Sequence, residues 1–128
     1  MASILKVDTI TGVATAGSIA ITGEGNSTTT NLQQGLAKAW CRAGSAAQLN
    51  DSFNIASGTD SGTGDYEFTL TNNMANATAA GSATAVSSAA RIATMHGVQT
   101  TGYGIENHND SGSKADNGTH HQTFGDLA

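Results

Sequence analysis

Proline is absent from the 128 residues and cysteine occurs once. Every backbone N–H is therefore available for pairing, and the usual marker of a linker is missing. Cys41 has no partner for an intrachain disulfide and no neighbouring histidine to activate it, so it reads as a small buried hydrophobe beside Trp40. Basic residues are scarce, five against ten acidic ones, and they do not cluster, which argues against nucleic acid as a partner. Long apolar runs are also missing: Ile4 and Leu5 are followed at once by Lys6 and then Asp8. This predicts neither a signal peptide nor membrane insertion, and hence synthesis in the cytoplasm. There is no Walker-type loop, no G-x-S-x-G and no paired-cysteine motif, and Gly62-Thr63-Gly64 is a turn with no helix signal after it. No cofactor is expected.

Large aliphatic side chains are scarce as well. Ile, Leu, Val and Phe together supply 20 of 128 residues, their place being taken by Ala, Gly, Ser and Thr. Only 12% of residues are charged, so self-repulsion does not hold the chain open. Small residues allow close backbone approach but contribute little apolar area each, which implies a core completed by neighbouring subunits. Thr and Gly richness favours strands and turns over long helices.

The clearest pattern lies in Asp51–Met74, DSFNIASGTDSGTGDYEFTLTNNM. Phe53 and Ile55 alternate with small polar residues, as do Tyr66, Phe68 and Leu70, and the glycine-rich connection Gly58–Gly64 suits a solvated tip. This predicts a β-hairpin whose apolar residues Phe53, Ile55, Tyr66, Phe68 and Leu70 merge into one patch that another part of the chain, or another copy of it, must cover. A lone hairpin cannot hide that patch from water.

In chain order, ILKVDTI (residues 4–10) reads as a short strand, and Ser18–Thr22 as a second one carrying Ile19 and Ile21. The pair suits a docking or chain-entwining segment over residues 1–25, or a simple edge hairpin. Residues 26–36 are a polar linker in which Thr30 or Asn31 caps a short helix from Leu32. Leu32 and Leu36 would share one face, stable when several copies pack about an axis. From Gly35 the sequence fits a continuing helix or a strand with Lys38, Trp40 and Arg42 on one face and Ala37, Ala39 and Cys41 on the other, and the strand is favoured. Beyond Met74, alanine content suggests a helix over 75–90, but Gly81 and the many Ser and Thr favour one or two thin strands. Residues 91–98, 102–106 and 119–124 read as further strands, with a polar surface loop over Asn107–Gly118. The expected fold is all-β: a β-sandwich-like domain over 37–128 with extended N-terminal strands and one short helix, completed by trimerisation.

The segments ILKVDTI, AGSIAITGEG, NSTTTNLQQGLAKAW, the hairpin and the ending FGDLA together resemble the small tail-fibre-like virion proteins of marine tailed phages, including cyanophages. The resemblance covers residues 4–74 and the last few residues. It implies a trimeric, β-rich virion component whose N-terminal strands attach or entwine, with Trp40, Phe53, Tyr66 and Phe68 in the core; the favoured reading is a homotrimeric, non-enzymatic structural protein bound to other virion proteins through residues 1–25. The chain departs from that family's pattern over 75–93, where alanines replace larger apolar residues.

Two functional surfaces follow as expectations. The polar loops would offer Thr59, Asp60, Ser61 and Thr63, and Asn107, His108, Asn109 and Asp110, for weak multivalent contact with a host glycan or outer-membrane component. The alternative is a capsid decoration protein on the phage head, whose N-terminal strands add to neighbouring sheet edges. A less favoured reading is a small polysaccharide depolymerase: Glu106, His108 and Asp110 would project from one strand face about 7 Å apart at each step, within reach of a shared cation or acid-base hydrolysis. His120 and His121 must face opposite ways on a strand, so one alone could meet symmetry mates as a three-histidine metal site, against the plainer reading of hydrogen bonding at the surface or an interface. His96 reads as a satisfied, half-buried side chain.

Overall fold

The structure, a computed structural model, describes residues 4–12, 19–23, 28–87 and 89–128. It is all-β apart from one helical turn, and it divides into two compact units, Met1–Gly35 and Leu36–Ala128.

In the first unit, β1 (Ala20–Thr22) pairs antiparallel with β2 (Thr29–Asn31). Thr29 and Thr30, expected in a linker, are thus part of a strand. The Asn31 side-chain carbonyl accepts a hydrogen bond from the Gln34 N–H at 3.0 Å, the expected N-cap of α1 (Leu32–Gly35). Leu36 lies outside the helix and is 54% exposed. Residues 4–12 form no strand, contrary to the reading of ILKVDTI, and leave Ile4, Leu5, Val7 and Ile10 exposed. Among the described residues of this unit, β1 and β2 pair with each other and no strand pairs with residues 4–12.

The second unit is a sandwich of two four-stranded antiparallel sheets. The first sheet has the order β4-β3-β10-β7, built from β3 (Ala37–Ala43), β4 (Leu49–Phe53), β7 (Ala80–Val86) and β10 (Gly118–Phe124). The second has the order β5-β6-β9-β8, built from β5 (Ile55–Gly62), β6 (Asp65–Leu70), β8 (Arg91–His96) and β9 (Gly102–Asn109). Alternation sends Tyr66, Phe68 and Leu70 of β6 and Tyr103 and Ile105 of β9 into the space between the sheets. The first sheet meets them mostly with small side chains, Ala39, Cys41 and Ala43 of β3 and Thr119 and Thr123 of β10, with His121 of β10 as its one large inward ring among the described residues. Sheets stacked about 10 Å apart cannot take bulky residues from both sides at every position. Large faces small, and the core closes with few long aliphatic residues.

That packing corrects two expected core residues. Ile55, Tyr66, Phe68 and Leu70 are buried, but Trp40 is 39% exposed and Phe53 51% exposed, on the outer face of the first sheet. β3 is a strand with the predicted two faces, yet its small face points inward. Phe53 and Ile55 do not share a strand. Between them Asn54 adopts a left-handed backbone (φ 59°), so the chain leaves β4 in one sheet and enters β5 in the other. The Asn54 side chain holds the crossing: its amide donates to the Lys38 and Asn72 carbonyls at 3.0 and 3.1 Å, and its carbonyl accepts from the Asn72 N–H at 2.7 Å. The hairpin is therefore β5–β6. Its strand runs on to Gly62, leaving a tight turn rather than a loop from Gly58.

Gly64, with φ 66°, closes that turn where a Cβ would come within 2.6 Å of the Asn107 carbonyl oxygen and 2.7 Å of the Ala115 nitrogen. Both the left-handed backbone and the lack of space require glycine. Gly64→Ala should cost at least about 1–2 kcal/mol. A thermal melt showing an unchanged midpoint would contradict this close approach.

Candidate functional site

Two faces of the sandwich carry chemistry. The first is the outer surface of β4-β3-β10-β7. Register places Phe53, Trp40, Gln122 and Ser82 in one row across the four strands, and Asp51, Arg42, His120 and Thr84 in the next. Strand spacing makes this a patch roughly 14 Å wide with rows about 7 Å apart. Trp40, Arg42, Asp51, Ser82, Thr84, His120 and Gln122 line an open concavity of about 500 Å³. No side-chain hydrogen bond among the described residues occupies Arg42, Asp51 or Gln122. An exposed aromatic pair thus sits beside unengaged donors and acceptors of both charge types.

On the inner side of the same strand, His121 is 4% exposed, 4.3 Å from the Phe68 ring centroid, and its Nδ1 hydrogen-bonds the Tyr103 hydroxyl at 2.8 Å. Burial, with a smaller contribution from His120, pushes its pKa down to about 4, so it is neutral at pH 7. The adjacent histidines do face opposite ways, with His120 exposed. Cys41 is buried, and burial followed by the charge of Asp51 pushes its thiol up to about 11, which leaves it inert as a nucleophile.

The second face is the outer surface of β5-β6-β9-β8. Asp65 of β6 and Glu106 of β9 are register partners, and Thr94 and His96 of β8 lie alongside. Lys114 donates to Asp65 Oδ2 at 2.9 Å and contacts Glu106 Oε1 at 2.5 Å. The hydrogen bond to Lys114 holds both carboxyls below their usual range, and the two carboxylates in turn, Glu106 first, raise Lys114.

The expected trio of Glu106, His108 and Asp110 is not the group the fold assembles. Glu106 stands beside Asp65, His96 and Lys114, residues distant in sequence, while Asp110 lies past the end of β9. Asn107, expected at the surface, is buried at 0% exposure. It points inward with Tyr103 and Ile105, and His108 and Asn109 are half-buried on a strand rather than in a loop. Thr59, Asp60, Ser61 and Thr63 are exposed, as is Asp110. His96 is half-buried as expected but not satisfied: its Nε2 is buried without a hydrogen-bond partner. The sequence signal for that site was Gly104, a glycine inside a strand, which marks close approach by another group.

No family model, curated protein or solved structure matches the chain.

Proposed function

We propose that the protein is a non-enzymatic surface module of a phage virion, homotrimeric, that binds host-surface glycans through the outer face of its first sheet. The observation that carries the reading is the exposed pair Trp40 and Phe53 set among Arg42, Asp51, His120 and Gln122. A sugar ring has an apolar C–H face and a hydroxyl rim. An exposed aromatic side chain covers the first, and unengaged amide, carboxylate, guanidinium and imidazole groups take the second. Each such site is weak, and three copies on one axis supply the avidity.

The resemblance of residues 4–74 to small tail-fibre-like virion proteins supports the same reading. So does the exposure of Ile4, Leu5, Val7 and Ile10, which gives the first unit an apolar segment available for strand addition to another virion protein.

The test is an array of bacterial surface polysaccharides probed with the wild type, Trp40→Ala and the double variant Thr59→Ala/Thr63→Ala. Trp40→Ala should weaken binding at least about tenfold, a loss of about 1.4 kcal/mol, while the turn variant binds as the wild type does. Loss confined to the turn variant would move the contact to the β5–β6 tip. Absence of glycan binding by every form would contradict the reading.

A further inference from the structure

We propose that Asp65, His96 and Glu106 form a divalent-metal site on the outer face of the second sheet, and that Lys114 is its built-in competitor. One ligand atom from each of the three lies within 4.8 Å of the other two. Ligands about 2.1 Å from a tetrahedral zinc stand about 3.4 Å apart. The His96 Nε2 to Asp65 Oδ1 distance, 3.6 Å, is already close to that spacing. It is also too long for a good hydrogen bond, and Nε2 has no other partner. Small rotations of the Asp65 and Glu106 side chains, 28% and 31% exposed, suffice for the rest.

The sheet is shaped around the imidazole. A Cβ on Gly104, the register partner of His96, would come within 2.3 Å of the His96 ring. Without it the ring lies over bare backbone, which turns Nε2 toward the carboxylates. An ion pair between Lys114 and two acids has no need of this arrangement.

Charge points the same way. Two carboxylates and one ammonium leave one negative charge, whereas a dication in place of the ammonium leaves none. Lys114 sits in the connection between β9 and β10, and its side chain is 41% exposed, so it can withdraw into solvent. One imidazole with two carboxylates suits Zn²⁺, Co²⁺, Ni²⁺ or Mn²⁺ better than Ca²⁺ or Mg²⁺. A fourth coordination position stays open to water or to a donor from another molecule.

The experiment is calorimetric titration of the full-length protein with Zn²⁺ at pH 7.5, with histidine imidazole shifts followed by NMR. Wild type, Lys114→Ala, Lys114→Met and the double variant His96→Ala/Lys114→Ala are compared. Removing Lys114 should tighten Zn²⁺ binding at least tenfold in both single variants, with the His96 resonances moving first, and the double variant should lose that gain. Equal affinity with and without Lys114, or a double variant that binds as tightly as Lys114→Ala, would overturn the proposal and leave a surface salt bridge.

Discussion

Phe68→Ala is expected to lower the unfolding free energy by about 3–5 kcal/mol, which for a sandwich of this size shifts the melting midpoint down by roughly 12 °C or more. Phe68 is 1% exposed, with its ring 6.0 Å from Tyr103 and 4.3 Å from His121. The cost falls at the upper end because the site cannot collapse. The facing strands offer Ala39, Cys41, Ala43, Thr119 and Thr123, whose short side chains cannot move into the vacated volume, and His121, whose ring is tied to the Tyr103 hydroxyl. Trp40→Ala removes a larger side chain yet should cost about 1 kcal/mol or less, since Trp40 lies on the outer face. Urea denaturation followed by circular dichroism compares the two. A greater loss for Trp40→Ala would mean that the first sheet is packed with its other face inward.

The second large effect is on acid stability. His121 titrates at about 4 in the folded chain, below its ordinary 6.5, because the sandwich interior disfavours the charged ring. Below pH 6.5 the unfolded chain takes up a proton that the folded chain refuses. Stability is therefore intact above pH 6.5 and falls as pH drops from 6.5 to about 4, by about 3 kcal/mol in all. The loss then levels off. Asp65 and Glu106, held low by Lys114, add a further decline that begins only as pH falls past the ordinary carboxyl values and continues below them. Unfolding free energies at pH 7.5 and 5.0 separate the two, and His121→Gln should flatten the slope between them. An unchanged slope in that variant would remove His121 as its source.

Alternation made β6 legible. Tyr66, Phe68 and Leu70 occur every second residue, and only one face of that strand can be apolar. Alternation also sorted β3 into its two faces, but it could not say which one is inner. Bulk suggested Trp40, and the answer lay in β6 and β9, whose aromatic residues already fill the interior. Phe53 was misplaced for a local reason: period two across Asn54 assumes an extended backbone, and Asn54 is left-handed there.

The metal-ligating group was half legible. Glu106 stood out, but its partners come from β6 and β8. In Ala-, Ser- and Thr-rich strands, many registers bury equal area, so pairing cannot be read from pattern. His120 and His121 show the same limit. Their opposite orientation follows from adjacency, whereas the choice of His121 for the interior depends on the Tyr103 hydroxyl that receives it.

Trp40 is the chain's single tryptophan, so its fluorescence reports directly on the outer face of the first sheet. Titrating the protein with a surface polysaccharide retained on the array should shift the emission to shorter wavelength and saturate, as a sugar ring replaces water over the indole. The emission should not depend on protein concentration when glycan is absent. Emission unmoved by bound polysaccharide would contradict a glycan site at Trp40, and a blue shift on concentrating the protein alone would make this face a contact between copies of the chain.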